Sequence, residues 1–515
     1  MASFINNKGI HQFKRIQSNN IMKLIKYTFT KATFILLLFS CPLLKAQTGI
    51  YVPELHIFDT RMAGLLNKYQ IPGGQMAVTY HGRLVYNRGF GYADTATSAL
   101  VQPNSIFRLA SISKSITSIA IMHLFENGLL NLDQKVFGTL GILNDTNYQS
   151  AIDSRYYDIT VRQLLNHTSG LFFPYPTDPL FKTYDIAIAM GVPPPTDSLE
   201  LVIQWTLEND SLFYTPGTDY GYTNFGYEIL GKIIEKITNK DYEDYVTNTI
   251  LLPLNINAIR KGRTLFADKL PMEVSYYDYP GAPLMPSIYT GIPNSVPAQY
   301  GGYNWEVMTA AGGWVASAGD LCKFLVAVDK FTTKPDILLS STIDTMLVSS
   351  VFGPKYALGW NITGKDYWNA GGIQGTATVF KRNESHQLNW AILFNSLPKN
   401  YGPFYSDFIN LVTDELVNIS AWPKHDLFDT KTNVNEIQLS QSMNIFPNPS
   451  SDMIYLEMYS DHIGARYEAI DLLGRVYREG IVTNNHFRID IADLPSGIYL
   501  LRIDGITKAY RFIRQ

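Results

Sequence analysis

Phe107-Arg108-Leu109-Ala110-Ser111-Ile112-Ser113-Lys114-Ser115-Ile116-Thr117 opens a run whose apolar spacing predicts a helix over Ile112 to Glu126, ending near Gly128. Ser111 and Lys114 stand three residues apart, so at helical spacing their side chains share one face about a turn apart. A serine hydroxyl is a weak nucleophile at neutral pH because its proton must leave as it attacks. A neighbouring lysine supplies the base when burial or nearby cations lower its pKa, and the N–H groups of a helix start can hold a developing oxyanion. Ser-x-x-Lys is also what an N-cap serine followed by a surface lysine looks like. The reading therefore depends on what accompanies the pair.

The bulk properties exclude several classes. A chain of 515 residues exceeds one average domain and suggests about three units. Its net charge of -3, with 17% charged residues, leaves no basic footprint for nucleic acid or acidic lipid. The 33 Tyr and 27 Phe suit β-rich surfaces and carbohydrate- or peptide-lined clefts without choosing between them. Of the two cysteines, Cys41 lies in an apolar leader, so the mature chain keeps the single thiol of Cys322 and no internal disulfide. Cys322, in the helical pattern Gly319 to Leu325, reads as a small core residue. No His, Cys, Asp or Glu cluster has metal-ligand spacing, so neither a metal nor a cofactor is expected.

Working outward, residues 1–46 read as an N-terminal extension and signal peptide. Met22 makes a better start than Met1 and is followed by Lys23, Lys26 and Lys31, the apolar run Ala32 to Phe39, and Leu43-Leu44-Lys45-Ala46 before Gln47. The run is too short for a membrane anchor, so no stable span is expected once the leader is removed. The body over 47–422 mixes patterns. Gln75 to Tyr80, His81-Gly82 and Arg83 to Asn87 predict a β-hairpin, and strand patterns return at Tyr356 to Trp360, Ala377 to Phe380 and Leu388 to Phe394. Helices are predicted at Val161 to Asn166 after a Thr160 cap and at Tyr227 to Ile237, ending near Asn239. Strands at both ends with helices between imply an α+β layer whose first and last strands meet in one antiparallel sheet. Residues 423–442 are polar and read as a linker, and 443–515 carry short alternating strands broken by Gly474, Gly480, Gly497 and Gly505, a small β-sandwich.

Three further segments bear on the serine-lysine pair: Thr160-Val-Arg-Gln-Leu-Leu-Asn-His-Thr-Ser-Gly-Leu171, Tyr222-Thr223-Asn224 ahead of a helix, and Trp368-Asn-Ala-Gly-Gly-Ile-Gln-Gly375. In this order the body resembles the serine β-lactamase-related hydrolases, which include penicillin-recognising carboxypeptidases, class C β-lactamases, esterases and peptidases acting on D-amino acids. The resemblance implies an antiparallel sheet flanked by helices with a mainly helical subdomain. It implies Ser111 as nucleophile, Lys114 as activating amine, Tyr222 as the phenol or phenolate relaying protons, and Asn224 as the amide that binds substrate and lysine. It also implies an oxyanion hole from the N–H groups of Ser111 and Gly372, with Gly371 and Gly372 letting the strand approach the acyl carbonyl. The third motif departs from the family pattern: Asn369 stands where Lys or His is usual. A neutral amide neither binds a substrate carboxylate as well as a cation nor biases Tyr222 toward phenolate. An esterase or a D-amino-acid-type peptidase is therefore expected ahead of a true β-lactamase. The rival reading is a binding protein for ligands or peptidoglycan fragments that kept the fold and lost turnover. His167 reads as a structural helix-end residue. The aromatic segment Tyr276 to Tyr279, with Tyr289, Tyr300, Tyr303 and Trp305, reads equally as a cleft wall or as a surface loop.

Ile445-Phe-Pro-Asn-Pro-Ser450, Asp471-Leu-Leu-Gly-Arg475 and Leu494-Pro-Ser-Gly-Ile-Tyr-Leu500 resemble the sorting domain of the type IX secretion system. That implies a Gram-negative cell, the secretion machinery as partner, and delivery through the periplasm to the cell surface or the medium.

Overall fold

The computed structural model describes residues 47–174, 176–289, 295–428, 443–446, 450–458, 463–471, 475–484, 486–504 and 510–514. The leader with Cys41, most of the linker, and residues 447–449, 472–474 and 505 of the C-terminal motifs and turns lie outside them. The chain divides into two compact units at Leu427 and Phe428.

The larger unit is built on one antiparallel sheet in the order β1-β3-β2-β7-β6-β5-β4. These strands are β1 Gln47–Thr48, β2 Gly73–Tyr80, β3 Arg83–Asp94, β4 Asn361–Thr363, β5 Asp366–Ile373, β6 Thr376–Asn383 and β7 Leu388–Phe394; Ala99–Leu100 pairs off β3. The hairpin between β2 and β3 turns on His81 and Gly82, at φ 49° and 72°, the two positive dihedrals a tight two-residue hairpin needs. First and last strands meet as expected: β2 pairs with β7, Gly74 opposite Phe394 and Tyr80 opposite Leu388.

Both faces of the sheet are covered, which is why β7 is apolar almost throughout. On one face α1 (His56–Tyr69), α5 (Tyr401–Ile409) and α6 (Leu411–Glu415) bury Phe58, Met62, Phe404 and Phe408 against Met76, Val78, Trp390 and Ile392. On the other lies α4 (Ala318–Val326), carrying the buried Cys322. Buried Gln75 ties that face together: its Oε1 accepts from the Ala318 N–H and its Nε2 donates to the carbonyls of Gln102 and Ser105.

One helix of the subdomain starts at the cap read for it. Thr160 and Gln163 form a reciprocal capping box over Val161–Leu165. α2 spans Ser113–Glu126 and α3 Phe225–Thr238, ending on Asn239 in the left-handed region. Tyr356 to Trp360, expected as a strand, is irregular. Gly359 sits at φ 90°, and the carbonyls of Leu358 and Gly359 accept from the hydroxyls of Ser118 and Ser115 on α2 instead of from a strand. The linker also begins later than expected. The Lys424 carbonyl accepts from Arg83, the Asp426 carboxylate accepts from the Leu84 N–H, and the Leu427 N–H returns to the Leu84 carbonyl, so the segment runs along β3.

The smaller unit is all strands among its described residues: β8 Met443–Phe446, β9 Met453–Met458, β10 Arg466–Asp471, β11 Val476–Ile481, β12 His486–Asp490, β13 Gly497–Ile503 and β14 Tyr510–Arg514. They form sheets ordered β8-β9-β12 and β11-β10-β13-β14 around a core that includes Ile454, Leu456, Leu501 and Phe512. The architecture is α+β in the larger unit and a small β-domain in the smaller.

Candidate active site

Ser111 does not lie within α2 but in the 3-10 turn Ala110–Ile112 that leads into it. Ala110 holds φ at 48°, a left-handed conformation unusual for a residue with a Cβ. The turn is wedged between two backbones. On one side is the loop Thr309–Gly313, continuing into Trp314–Ala316, which pairs with Phe107–Arg108. On the other is β5. Here Gly371 is required: a Cβ would overlap the Leu109 carbonyl and crowd the Ala110 side chain.

The turn faces Tyr222 and Asn224 at the start of α3. The Ser111 Oγ lies 2.7 Å from the Tyr222 hydroxyl and 3.1 Å from Lys114 Nζ. Lys114 is fully buried, and its Nζ also donates to Asn224 Oδ1 and to the Ala311 carbonyl, each at 2.8 Å. Burial lowers its ammonium to about 7, against the attraction of Glu228 and Asp178. Tyr222 is shifted the other way: burial drives its phenol further above its ordinary range, although the Ser111 hydrogen bond opposes the shift. The resting arrangement is thus a neutral phenol beside an amine that deprotonates near neutrality. Both groups touch the same serine oxygen.

His167 holds Tyr222 in place. Buried at φ 60°, it accepts the Thr223 N–H on Nδ1 at 3.3 Å, its carbonyl accepts the Gly221 N–H at 2.8 Å, and its ring lies 4.4 Å from that of Tyr222. Burial and the Lys114 charge keep its imidazole neutral, well below the ordinary histidine range. This is the structural place expected of it.

Ser111, Tyr222, Asn224 and Gly372 open onto a cavity of about 690 Å³. Its wall is largely aromatic and apolar, with Phe172, Phe173, Phe181, Trp305 and Met308. The aromatic segment divides: Tyr279 lines the cavity, Tyr276 and Tyr300 pack on the buried Arg108 guanidinium, 4.4 and 5.7 Å from it, and Trp305 does both, its ring 4.6 Å from that guanidinium. Among the described residues no cluster of three His, Cys, Asp or Glu side chains could hold a metal.

The structure does not bring Asn369 into the cavity. Its side chain is buried, and its amide nitrogen is committed to Ser115 Oγ at 3.0 Å and to the carbonyls of Gly359 and Ser111 at 3.2 and 3.3 Å. A neutral amide can be absorbed there because it needs no counter-charge; it pins β5 to the start of α2 rather than reaching for substrate. Gly371 is likewise a spacer, and Gly372 alone of the motif's glycines lines the cavity.

Three residues were not picked out from the sequence. Glu228, one helical turn after Asn224, accepts the Ala311 N–H at 2.7 Å, and burial raises its carboxyl to about 8. Asp178, raised by burial, accepts the N–H groups of Leu180 and Asn224. Tyr405 of α5 reaches the cavity and donates to the Gly371 carbonyl. Glu228 carried a signal, an acid on the buried face of an apolar helix. The other two carried none.

Residues 57–412 match the β-lactamase family, and residues 444–512 match the secretion system C-terminal sorting domain. Protein flp of Staphylococcus aureus (strain COL) is 29% identical over 211 residues, 41% of this chain and 39% of that protein. Penicillin-binding protein 4* of Bacillus subtilis (strain 168) is 31% identical over 224 residues, 43% and 44% of the two chains. The chain thus spans about two-fifths of the length of these curated relatives. A D-amino acid amidase from Ochrobactrum anthropi SV3, solved with D-phenylalanine, shares the fold at a TM-score of 0.52 and 21% identity, covering 70% of this chain and 98% of that one. No helix among the described residues is long and apolar enough to cross a membrane. With the family matched over most of its length and the sorting domain behind it, the chain belongs to the β-lactamase family and carries a type IX secretion sorting domain.

Proposed function

We propose that the protein is an exported serine hydrolase that opens an ester or amide through an acyl-enzyme on Ser111. The observation that carries this is the convergence of Lys114 Nζ and the Tyr222 hydroxyl on the Ser111 oxygen, at the edge of the cavity. Neutral Lys114 takes the serine proton as Oγ bonds to the carbonyl carbon, and the carbonyl π electrons move to its oxygen. The N–H groups of Ser111 and Gly372 hold that oxyanion. The tetrahedral carbon collapses, breaking the bond to the alkoxide or amine, which leaves with a proton passed through Tyr222. Water then repeats the sequence in reverse: Lys114 takes its proton, and the acid departs as Ser111 regains its hydrogen.

The cavity and Asn369 bear on the substrate class. With Asn369 turned away, the motif offers no cation for a carboxylate, and the aromatic wall favours an apolar group beside the scissile carbonyl. An ester or a D-amino-acid amide fits that wall, and a substrate carboxylate would have to reach Lys399 of the lining instead of the third motif. The name of the D-amino acid amidase agrees with a D-configured acyl group, whereas that of the penicillin-binding relative names a β-lactam. Export follows from the sorting domain: the leader takes the chain across the inner membrane, and residues 443–515 direct outer-membrane passage and are then removed, releasing the hydrolase unit that ends at Leu427.

A fluorophosphonate probe tests the site. It labels the wild type on Ser111, and Ser111→Ala abolishes labelling while the melting curve is unchanged; equal labelling of the variant refutes the assignment. A panel of nitrophenyl esters, D-amino-acid amides and nitrocefin ranks the substrates. Tight ligand binding without turnover of any of them would favour the binding-protein reading.

A further inference from the structure

Tyr405 stands at the cavity without a role in the acyl-transfer scheme. Phe404 and Phe408, both fully buried, seat its helix against the sheet. Its hydroxyl donates to the Gly371 carbonyl at 2.5 Å, and a Cβ on Gly372 would overlap that hydroxyl. The other hydroxyl near this carbonyl, Thr378 Oγ1 at 3.3 Å, lies closer to the Leu109 carbonyl, at 2.7 Å, and has one proton to give. Tyr405 is therefore the principal side-chain donor to Gly371.

The Gly371 carbonyl and the Gly372 N–H are the two ends of one planar peptide group. A hydrogen bond donated to the oxygen draws electrons from the nitrogen and strengthens the N–H as a donor. It also fixes the plane of a peptide whose two glycines carry no side chain to restrain it. We infer that Tyr405 is a positioning residue for the oxyanion hole, polarising and orienting the Gly372 N–H through the Gly371 carbonyl. The inference rests on the acyl-enzyme reading above. Burial drives the Tyr405 phenol above its ordinary range, so it remains a donor wherever the enzyme operates.

A comparison of a nitrophenyl ester with its thiono analogue, in which sulfur replaces the carbonyl oxygen, tests this in the full-length protein. Sulfur accepts hydrogen bonds poorly, so the oxo-to-thiono rate ratio reports on the oxyanion hole. Tyr405→Phe keeps the ring. It is expected to lower kcat for the oxo ester about 10-fold, less than the ~10²–10³-fold cost of deleting an oxyanion donor outright. KM stays near the wild-type value and the oxo-to-thiono ratio falls with kcat. 3-Fluorotyrosine at 405, a stronger donor of nearly the same shape, restores kcat and the ratio. An unchanged ratio in Tyr405→Phe, or no rescue by fluorotyrosine, overturns the inference while wild-type turnover leaves the acyl-enzyme reading standing. A wild type that neither turns over an ester nor takes the fluorophosphonate on Ser111 defeats both.

Discussion

On the proposed mechanism, the charge state of Lys114 decides whether Ser111 can be activated. With its ammonium lowered to about 7 by burial, the neutral amine accumulates as pH rises through neutrality. The pH profile of kcat/KM is expected to show an acid limb centred near that value, flat above it. Lys114→Met is expected to remove the limb and about 10²–10⁴ of the rate. Glu228 holds the N–H of Ala311, whose carbonyl accepts from Lys114. Its carboxyl, pushed up to about 8 by burial, stays protonated in the folded protein over a range where the unfolded chain has lost that proton. Unfolding then releases a proton, so this group's contribution to stability is present below its unfolded pKa and declines as pH rises toward about 8. Lys114 acts in the opposite sense at higher pH, because there the unfolded chain takes up the proton. Glu228→Gln is expected to remove the first slope, seen as a Tm that holds better than wild type from about pH 5 to pH 8. Because that carboxyl is protonated over most of the range in which Lys114 titrates, the same substitution is expected to leave the acid limb near its wild-type position. A limb moved to lower pH would show instead that Glu228 is a carboxylate beside the ammonium there.

At the scale of elements, the close approach of β5 to the serine turn is the most demanding feature. Gly371→Ala introduces a Cβ against the Leu109 carbonyl. It is expected to cost about 1–3 kcal/mol, as overpacking does, and to slow fluorophosphonate labelling as the Ser111 turn is pushed from the strand. Thermal melts and labelling rates on one preparation check both. The same scale shows what the sequence made legible. Leu388 to Phe394 and Met453 to Met458 are runs whose own pattern specifies a strand, and Ser111, Lys114, Tyr222 and Asn224 belong to motifs that keep catalytic spacing local. Tyr356 to Trp360 has the composition of a strand, yet hydroxyls from a distant helix claim its carbonyls. The orientation of Asn369 and the reach of Tyr405 depend on packing between segments far apart in the chain, which periodicity does not encode.

At the scale of the molecule, the chain joins two units with separate cores, one bearing the candidate site and the other the sorting signal. Deleting residues 428–515 is expected to leave esterase turnover of the purified protein unchanged. In the producing cell the deletion should abolish its appearance outside, with the truncated form retained in the periplasm; fractionation and immunoblotting check this, and undiminished export would remove the tail from the route.

The pairing of β2 with β7 has a consequence for how such a protein leaves its cell. Thr79 and Asn389 exchange hydrogen bonds across the centre of the sheet although they are 310 residues apart. Closing so large a loop delays the central ladder, and no early segment of the chain can complete it alone. A ribosome or a translocon that has released only the first half of this sequence therefore holds a chain still able to thread a narrow channel. On the proposed reading, the nucleophile Ser111 is set against the finished sheet only after β7 has emerged on the far side.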